Sequence, residues 1–127
     1  ASVGAVRGVV RDTLRRYRGM SHDEITALAS ELWSEPVLER RLAAVVLLQG
    51  QVAVLTGNDL TRIEGFLRDA RVSSLTEPLT IDVVRPLLGR LTGVEAERVG
   101  RIVARWSESD AEGLRTAASM LSGRREG

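Results

Sequence analysis

From Leu38 to Leu48 the chain carries few polar side chains, and on either side of that stretch apolar residues return every three or four positions. That spacing is the period of an amphipathic helix. Leu38, Leu42, Val45 and Val46 form one stripe, which Ala43, Ala44, Leu47 and Leu48 widen until little polar face remains. A surface helix shows a narrower stripe, so this segment is expected to be a central helix packed on several sides. It should run from Pro36 to about Leu55, with Gly50 as a weak point. Ser34 is the expected cap, with Pro36 in the first turn, where a missing N–H costs nothing.

The same period sets the neighbouring elements. Val3, Val6, Val10, Leu14 and Tyr17 predict a helix over residues 2–18, with Arg7, Arg11, Arg15 and Arg18 on another face and Gly19 as its stop. Ser21 with Glu24 reads as a capping box, in which each side chain satisfies the other residue's backbone N–H. It opens a second helix that faces Ile25, Leu28, Leu32 and Trp33 inward. After the turn Thr56-Gly57-Asn58, a fourth helix capped by Asn58 or Asp59 presents Leu60, Ile63, Phe66 and Leu67 and ends near Arg71. Three further boxes, Ser74/Glu77, Thr92/Glu95 and Ser109/Glu112, predict helices five, six and seven. Their inward sets are Leu79, Val83, Val84 and Leu87, then Val99, Ile102, Val103 and Trp106, then Leu114, Ala117, Ala118 and Leu121, closed by Gly123. Pro86 should kink or split helix five, because it removes one bond of the ladder.

No segment alternates with period two, so no sheet is expected. The helices group as pairs over residues 21–55, 58–91 and 92–122, behind an N-terminal capping helix at 1–18. The pairs open about 35 residues apart, the period of HEAT or armadillo repeats, which bury their faces by stacking. The expected fold is all-α: one domain over residues 1–127, a HEAT-like or armadillo-type helical-repeat solenoid of about seven helices. A compact irregular bundle of the same helices is the alternative.

Composition then narrows the chemistry. With no cysteine there is no disulfide or thiolate site, which also fits a cytoplasmic setting, and no apolar run reaches the ~20 residues of a membrane span. The net charge is only +1, but all 18 basic residues are arginine, a side chain suited to bidentate contact with phosphate. GC-rich codon usage gives the same bias. Tyr17, Trp33, Phe66 and Trp106 are the only aromatic residues, too few for a single-strand stacking platform. Phosphate-loop, serine-nucleophile, zinc and calcium motifs are missing, and the single histidine, His22, falls in the first turn of a surface helix. No metal and no cofactor is expected. A carboxylate is the one plausible reactive group. Glu77, between Leu75 and Pro78 in a stretch with few other charges, stands out, although the box with Ser74 accounts for it structurally.

The run Glu-Leu-Trp-Ser-Glu-Pro-Val-Leu-Glu-Arg-Arg-Leu-Ala-Ala-Val-Val-Leu-Leu, residues 31–48, resembles the segment that opens the HEAT-like, AlkD-like DNA alkylation repair glycosylases. Tyr17-Arg18-Gly19-Met20 resembles their aromatic-x-Gly-hydrophobic approach to helix two. Residues 75–88 resemble their central helix, and Trp106 through Ala118 the helix turn that follows. The resemblance covers residues 17–121 in order. It implies a monofunctional glycosylase for cationic alkylpurines such as 3-methyladenine and 7-methylguanine. In that chemistry one carboxylate stabilises an oxocarbenium-like sugar, tryptophans lie near it, and basic residues on a concave surface grip alkylated duplex DNA.

Carried over residue by residue, the resemblance implies Glu77 as the catalytic carboxylate, with Tyr17, Arg40, Arg41, Arg85 and Arg115 as DNA contacts. The Arg98, Arg101 and Arg105 stripe is expected on the convex side. The chain departs from the family pattern at the site. Ser73 stands where the central helix has tryptophan, and Glu77 where it has aspartate. Glutamate is one methylene longer, so its carboxylate would stand roughly 1 Å off, which can cost ~10²-fold. The pattern Trp-Leu-x-Arg becomes Gly113-Leu114-Arg115-Thr116, with the arginine one residue early and so rotated by about 100°. The sequence therefore supports a weak or altered DNA N-glycosylase. The alternative is a non-catalytic family member that serves as a DNA-binding scaffold or as an adaptor with a protein partner on its concave surface.

Overall fold

The computed structural model describes residues 3–16 and 19–122, apart from the side chains of Val3, Thr13, Leu14 and Arg16. Every regular element in it is helical, with no strand among the described residues. The chain forms two compact units, Ala1–Val54 and Leu55–Gly127.

In the first unit, α1 (Val3–Arg16) and α2 (His22–Ser34) both pack on α3 (Leu38–Gly50). Gly19, at φ 94°, supplies the left-handed turn after α1 that a residue with a Cβ rarely adopts. The box at the start of α2 forms as the sequence predicts, with Ser21 Oγ accepting from Glu24 N–H at 3.1 Å and Glu24 Oε1 from Ser21 N–H at 2.8 Å. Leu42, Ala44, Val45, Leu47 and Leu48 of α3 close the core with Ile25, Ala29 and Trp33 of α2 and Val6 and Val10 of α1.

Three expectations for this unit are corrected. Leu38, assigned to the buried stripe, is 46% exposed at the first position of α3. Ser34 does not cap α3; it ends α2, where its hydroxyl donates to the Glu31 carbonyl at 2.7 Å, and Val37 precedes α3 without a side-chain cap. The central helix stops at Gly50, the expected weak point, and the chain goes on as a separate 3-10 turn, Val52–Val54.

The second unit begins with a 3-10 turn, Gly57–Asp59, that leads into α4 (Leu60–Asp69). Next comes α5, residues 73–90, an α-helical start (Ser73–Pro78), a π-helical middle (Leu79–Val84) and an α-helical end (Arg85–Arg90) without a break. Then follow α6 (Gly93–Ala104), a 3-10 turn (Arg105–Glu108) and α7 (Glu112–Ser122). Leu60, Ile63, Phe66 and Leu67 of α4, Leu79, Val83, Val84 and Leu87 of α5, Val99 of α6, Trp106, and Leu114 and Ala117 of α7 are all buried, as their spacing predicts. α7 packs on both α4 and α5. At Pro86, the expected site of a kink or a split, the helix is not split. Instead the helix widens just upstream, with Arg85 N–H bonding five residues back to Thr80. The proline ring would otherwise crowd the carbonyl four residues before it.

Three of the four predicted boxes are replaced by other bonds or none. Thr92 makes no side-chain cap, and Glu95 Oε2 instead accepts from Gly57 N–H at 2.9 Å. Ser109 Oγ accepts from Ala111 N–H at 3.0 Å, so α7 starts later, at Glu112. Ser74 and Glu77 form no box because α5 already starts at Ser73, after an uncapping Val72. Neither Asn58 nor Asp59 caps α4 through its side chain; the buried Asp59 carboxylate turns back to accept from Thr56 N–H at 2.7 Å. Gly123, the expected stop of helix seven, lies outside the described residues. Among those residues, no helix is long and apolar enough to cross a membrane.

Candidate functional site

Where α4 ends and α5 and α7 begin, the second unit holds a groove of about 690 Å³. The turn 70–72 contributes Arg71. The first turn of α5 contributes Ser73 and Thr76, the last turn of α4 Arg68, and the opening turns of α7 Gly113, Arg115 and Thr116. Three arginines thus line one hollow with two acidic residues, Asp110 and Glu112.

The arginines are held differently. Arg68 Nη2 meets Glu64 Oε2 at 3.3 Å, one helical turn back, while the other oxygen of Glu64 accepts the indole N–H of buried Trp106 at 3.3 Å. Arg115 Nη1 donates to the Ser109 carbonyl at 2.8 Å. Arg71 is exposed and makes no side-chain hydrogen bond or ion pair among the described residues, and the same holds for the hydroxyls of Ser73 and Thr116. Guanidinium and hydroxyl groups left open in a hollow are donors for an anionic ligand.

Gly113 shapes this groove by closeness. A Cβ on it would collide with the carbonyl oxygen of Leu67 and stand 3.2 Å from that of Ala70. The first turn of α7 therefore lies directly on the last turn of α4, and no larger residue fits this backbone at 113.

The residues singled out from the sequence fall in different places. Glu77 is exposed on α5, four residues beyond Ser73 and so one turn along the same helix face, outside the groove lining. Arg85 is exposed on the same helix, and Arg115 lines the groove. Arg40 and Arg41 belong to the first unit. Arg40 Nε pairs with Glu35 Oε1 at 3.3 Å. Arg41 Nε donates to the Trp33 carbonyl at 3.0 Å and its guanidinium lies 4.7 Å from the centroid of the Trp33 ring. Glu39, beside them in the first turn of α3, has its carboxyl held below the usual range by its own backbone N–H. Tyr17 lies outside the described residues. No cluster of three or more histidine, aspartate and glutamate side chains that could hold a metal occurs among the described residues.

A sequence profile described as DNA alkylation repair enzyme matches residues 1–122. The chain belongs to that family. Membership connects it to DNA repair. No curated protein and no solved structure matches it.

Of the positions singled out from the sequence as departing from the pattern the chain resembles, all but Glu77 meet in space. Ser73, Gly113 and Thr116 all line the one groove. Gly113 has a packing reason of its own, since any side chain there would overlap the Leu67 carbonyl. Arg68 and Arg71 were not picked out from the sequence. The signal that could have found them is their placement, two arginines bracketing the turn immediately before Ser73.

Proposed function

We propose that this protein binds duplex DNA along the second unit's groove and, through Glu77, excises cationic alkylpurines slowly, its helix pairs serving as HEAT-like repeats. The observation that carries this reading is the convergence of Arg68, Arg71 and Arg115 on a groove lined by Ser73 and Thr116, one helical turn from Glu77.

The chemistry asks little of the protein. An alkylated purine such as 7-methylguanine is already cationic, so when the bond between C1′ and the base nitrogen breaks, the electron pair neutralises the base and no proton need be supplied. Positive charge develops on the sugar, where the Glu77 carboxylate would stabilise it. Water then adds to C1′ and gives up a proton. Ser73 and Thr116 supply no aromatic wall and no second cation, which supports a slow reaction.

Methylated duplex incubated with the protein should release free 7-methylguanine, and Glu77→Gln should abolish the release while leaving duplex affinity in place. Release that persists in Glu77→Gln removes that residue's role. A non-catalytic scaffold is the second reading, favoured by the same replaced positions; it predicts duplex binding without release. An adaptor role draws on the first unit, where Val9, Val10, Leu28 and Leu32 line an apolar groove over Ala43 and Leu47. It predicts no duplex binding even at low salt.

A further inference from the structure

We propose that the groove of the second unit is an oxyanion site for a single phosphate group, with Arg71 as its principal contact. The inference deepens the DNA reading and rests on it only for the source of the phosphate.

Three observations carry it. Arg71 is the one groove arginine with no protein partner among the described residues, while Arg68 and Arg115 are each fixed by a bond that leaves further N–H donors open. A guanidinium has five N–H donors, and the bonds to Glu64 and Ser109 each use one nitrogen. The hydroxyls of Ser73 and Thr116 are likewise unengaged, and both line the same hollow. Finally, Gly113 keeps α7 close against α4, which brings Arg115 and Thr116 of α7 into the same hollow as Arg68 and Arg71. Asp110 and Glu112 also line the groove. They offset part of the positive charge, so binding there depends on hydrogen bonds from several donors to one tetrahedral oxyanion more than on net charge.

The phosphate could be an internal diester of a duplex strand or the monoester at a strand end. Both offer the same oxygens to the same donors, and the two are separated by experiment. Inorganic phosphate titrated at constant ionic strength should bind the wild-type chain, and Arg71→Ala should weaken that binding about tenfold, the loss of one charge-assisted contact. Arg101→Ala, an exposed arginine on α6 outside the groove, controls for net charge and should leave phosphate binding unchanged. Blunt duplexes with a 5′-phosphate or a 5′-hydroxyl then identify the source. A preference for the phosphorylated end that disappears in Arg71→Ala assigns a monoester, and equal binding that weakens in Arg71→Ala assigns the diester.

Phosphate binding with no duplex binding supports the oxyanion site and overturns the DNA reading. Duplex binding that is the same in wild type and Arg71→Ala, with no phosphate binding, overturns the site and leaves the DNA reading standing. Equal losses in Arg71→Ala and Arg101→Ala also overturn it, because the effect would then be one of overall charge. Circular dichroism of both variants confirms that they remain folded.

Discussion

Replacing Gly113 with alanine tests the closest helix contact of the second unit. In an open helix the change is favourable, since alanine exceeds glycine by about 1 kcal/mol in helix propensity. At 113 the added methyl meets the Leu67 carbonyl oxygen, with the Leu67 carbonyl carbon at 3.1 Å and the Ala70 oxygen at 3.2 Å. All three are backbone atoms near the end of α4, so no rotamer change relieves the overlap. Overpacking costs about 1–3 kcal/mol, and a clash between two backbones belongs at the upper end. Subtracting the propensity gain leaves a net destabilisation of about 2 kcal/mol, or a midpoint lowered by roughly 8 °C for a chain of this size. Thermal unfolding followed by helical circular dichroism reads it. Gly100→Ala is the internal control. Gly100 lies inside α6 with nothing within 4 Å of a built Cβ, and that variant should gain about 0.5–1 kcal/mol. If Gly113→Ala is as stable as wild type or rises with Gly100→Ala, α7 does not lie against the Leu67 carbonyl and the groove has another shape.

Glu95→Ala should destabilise the second unit by about 2 kcal/mol, because the buried Gly57 N–H loses a charged acceptor at 2.9 Å; urea unfolding checks it. Arg41→Ala should cost about 1–2 kcal/mol through the lost carbonyl bond and ring contact at Trp33, and Arg41→Lys should recover little of it because the planar fork is gone. Trp33 fluorescence during unfolding reports on that contact. Glu77→Gln, at an exposed position, should change stability by less than about 0.5 kcal/mol, so its loss of 7-methylguanine release is separable from unfolding. Duplex affinity should fall steeply with salt, and Arg71→Ala should lower the slope of log affinity against log salt by about one.

Glu64 shows how the groove is tied to the core. It offers one oxygen to the buried Trp106 N–H and the other to Arg68 at the groove. A buried indole N–H without an acceptor is costly, so the carboxylate has a structural reason to be there. Its second oxygen then helps set where Arg68 lies. Neither bond follows from residue type, since the Trp106 contact joins positions 42 apart in sequence.

The sequence by itself determined the elements and most of the core. Burial repeats every three or four residues, and a helix face is fixed by its own residues, so Leu60, Ile63, Phe66 and Leu67 could be assigned inward before any partner was known. The family was legible too, since residues 31–48 and 75–88 keep its scaffold pattern and the profile match confirms it. Where a bond spans three residues and its partners have no other claim, as in Ser21 with Glu24, local chemistry was enough. Tertiary structure decided whatever had a distant competitor. Glu95 reaches Gly57 instead of closing a box with Thr92, because the fold brings a buried N–H within 2.9 Å of it. Arg41 donates to the Trp33 carbonyl and lies over the Trp33 ring, a contact that joins α3 to the end of α2. The groove itself joins the end of α4, the start of α5 and the start of α7, and no period in the sequence records that three helix ends meet. Only packing, with Gly113 pressed against Leu67, brings Arg71, Ser73 and Thr116 to one hollow.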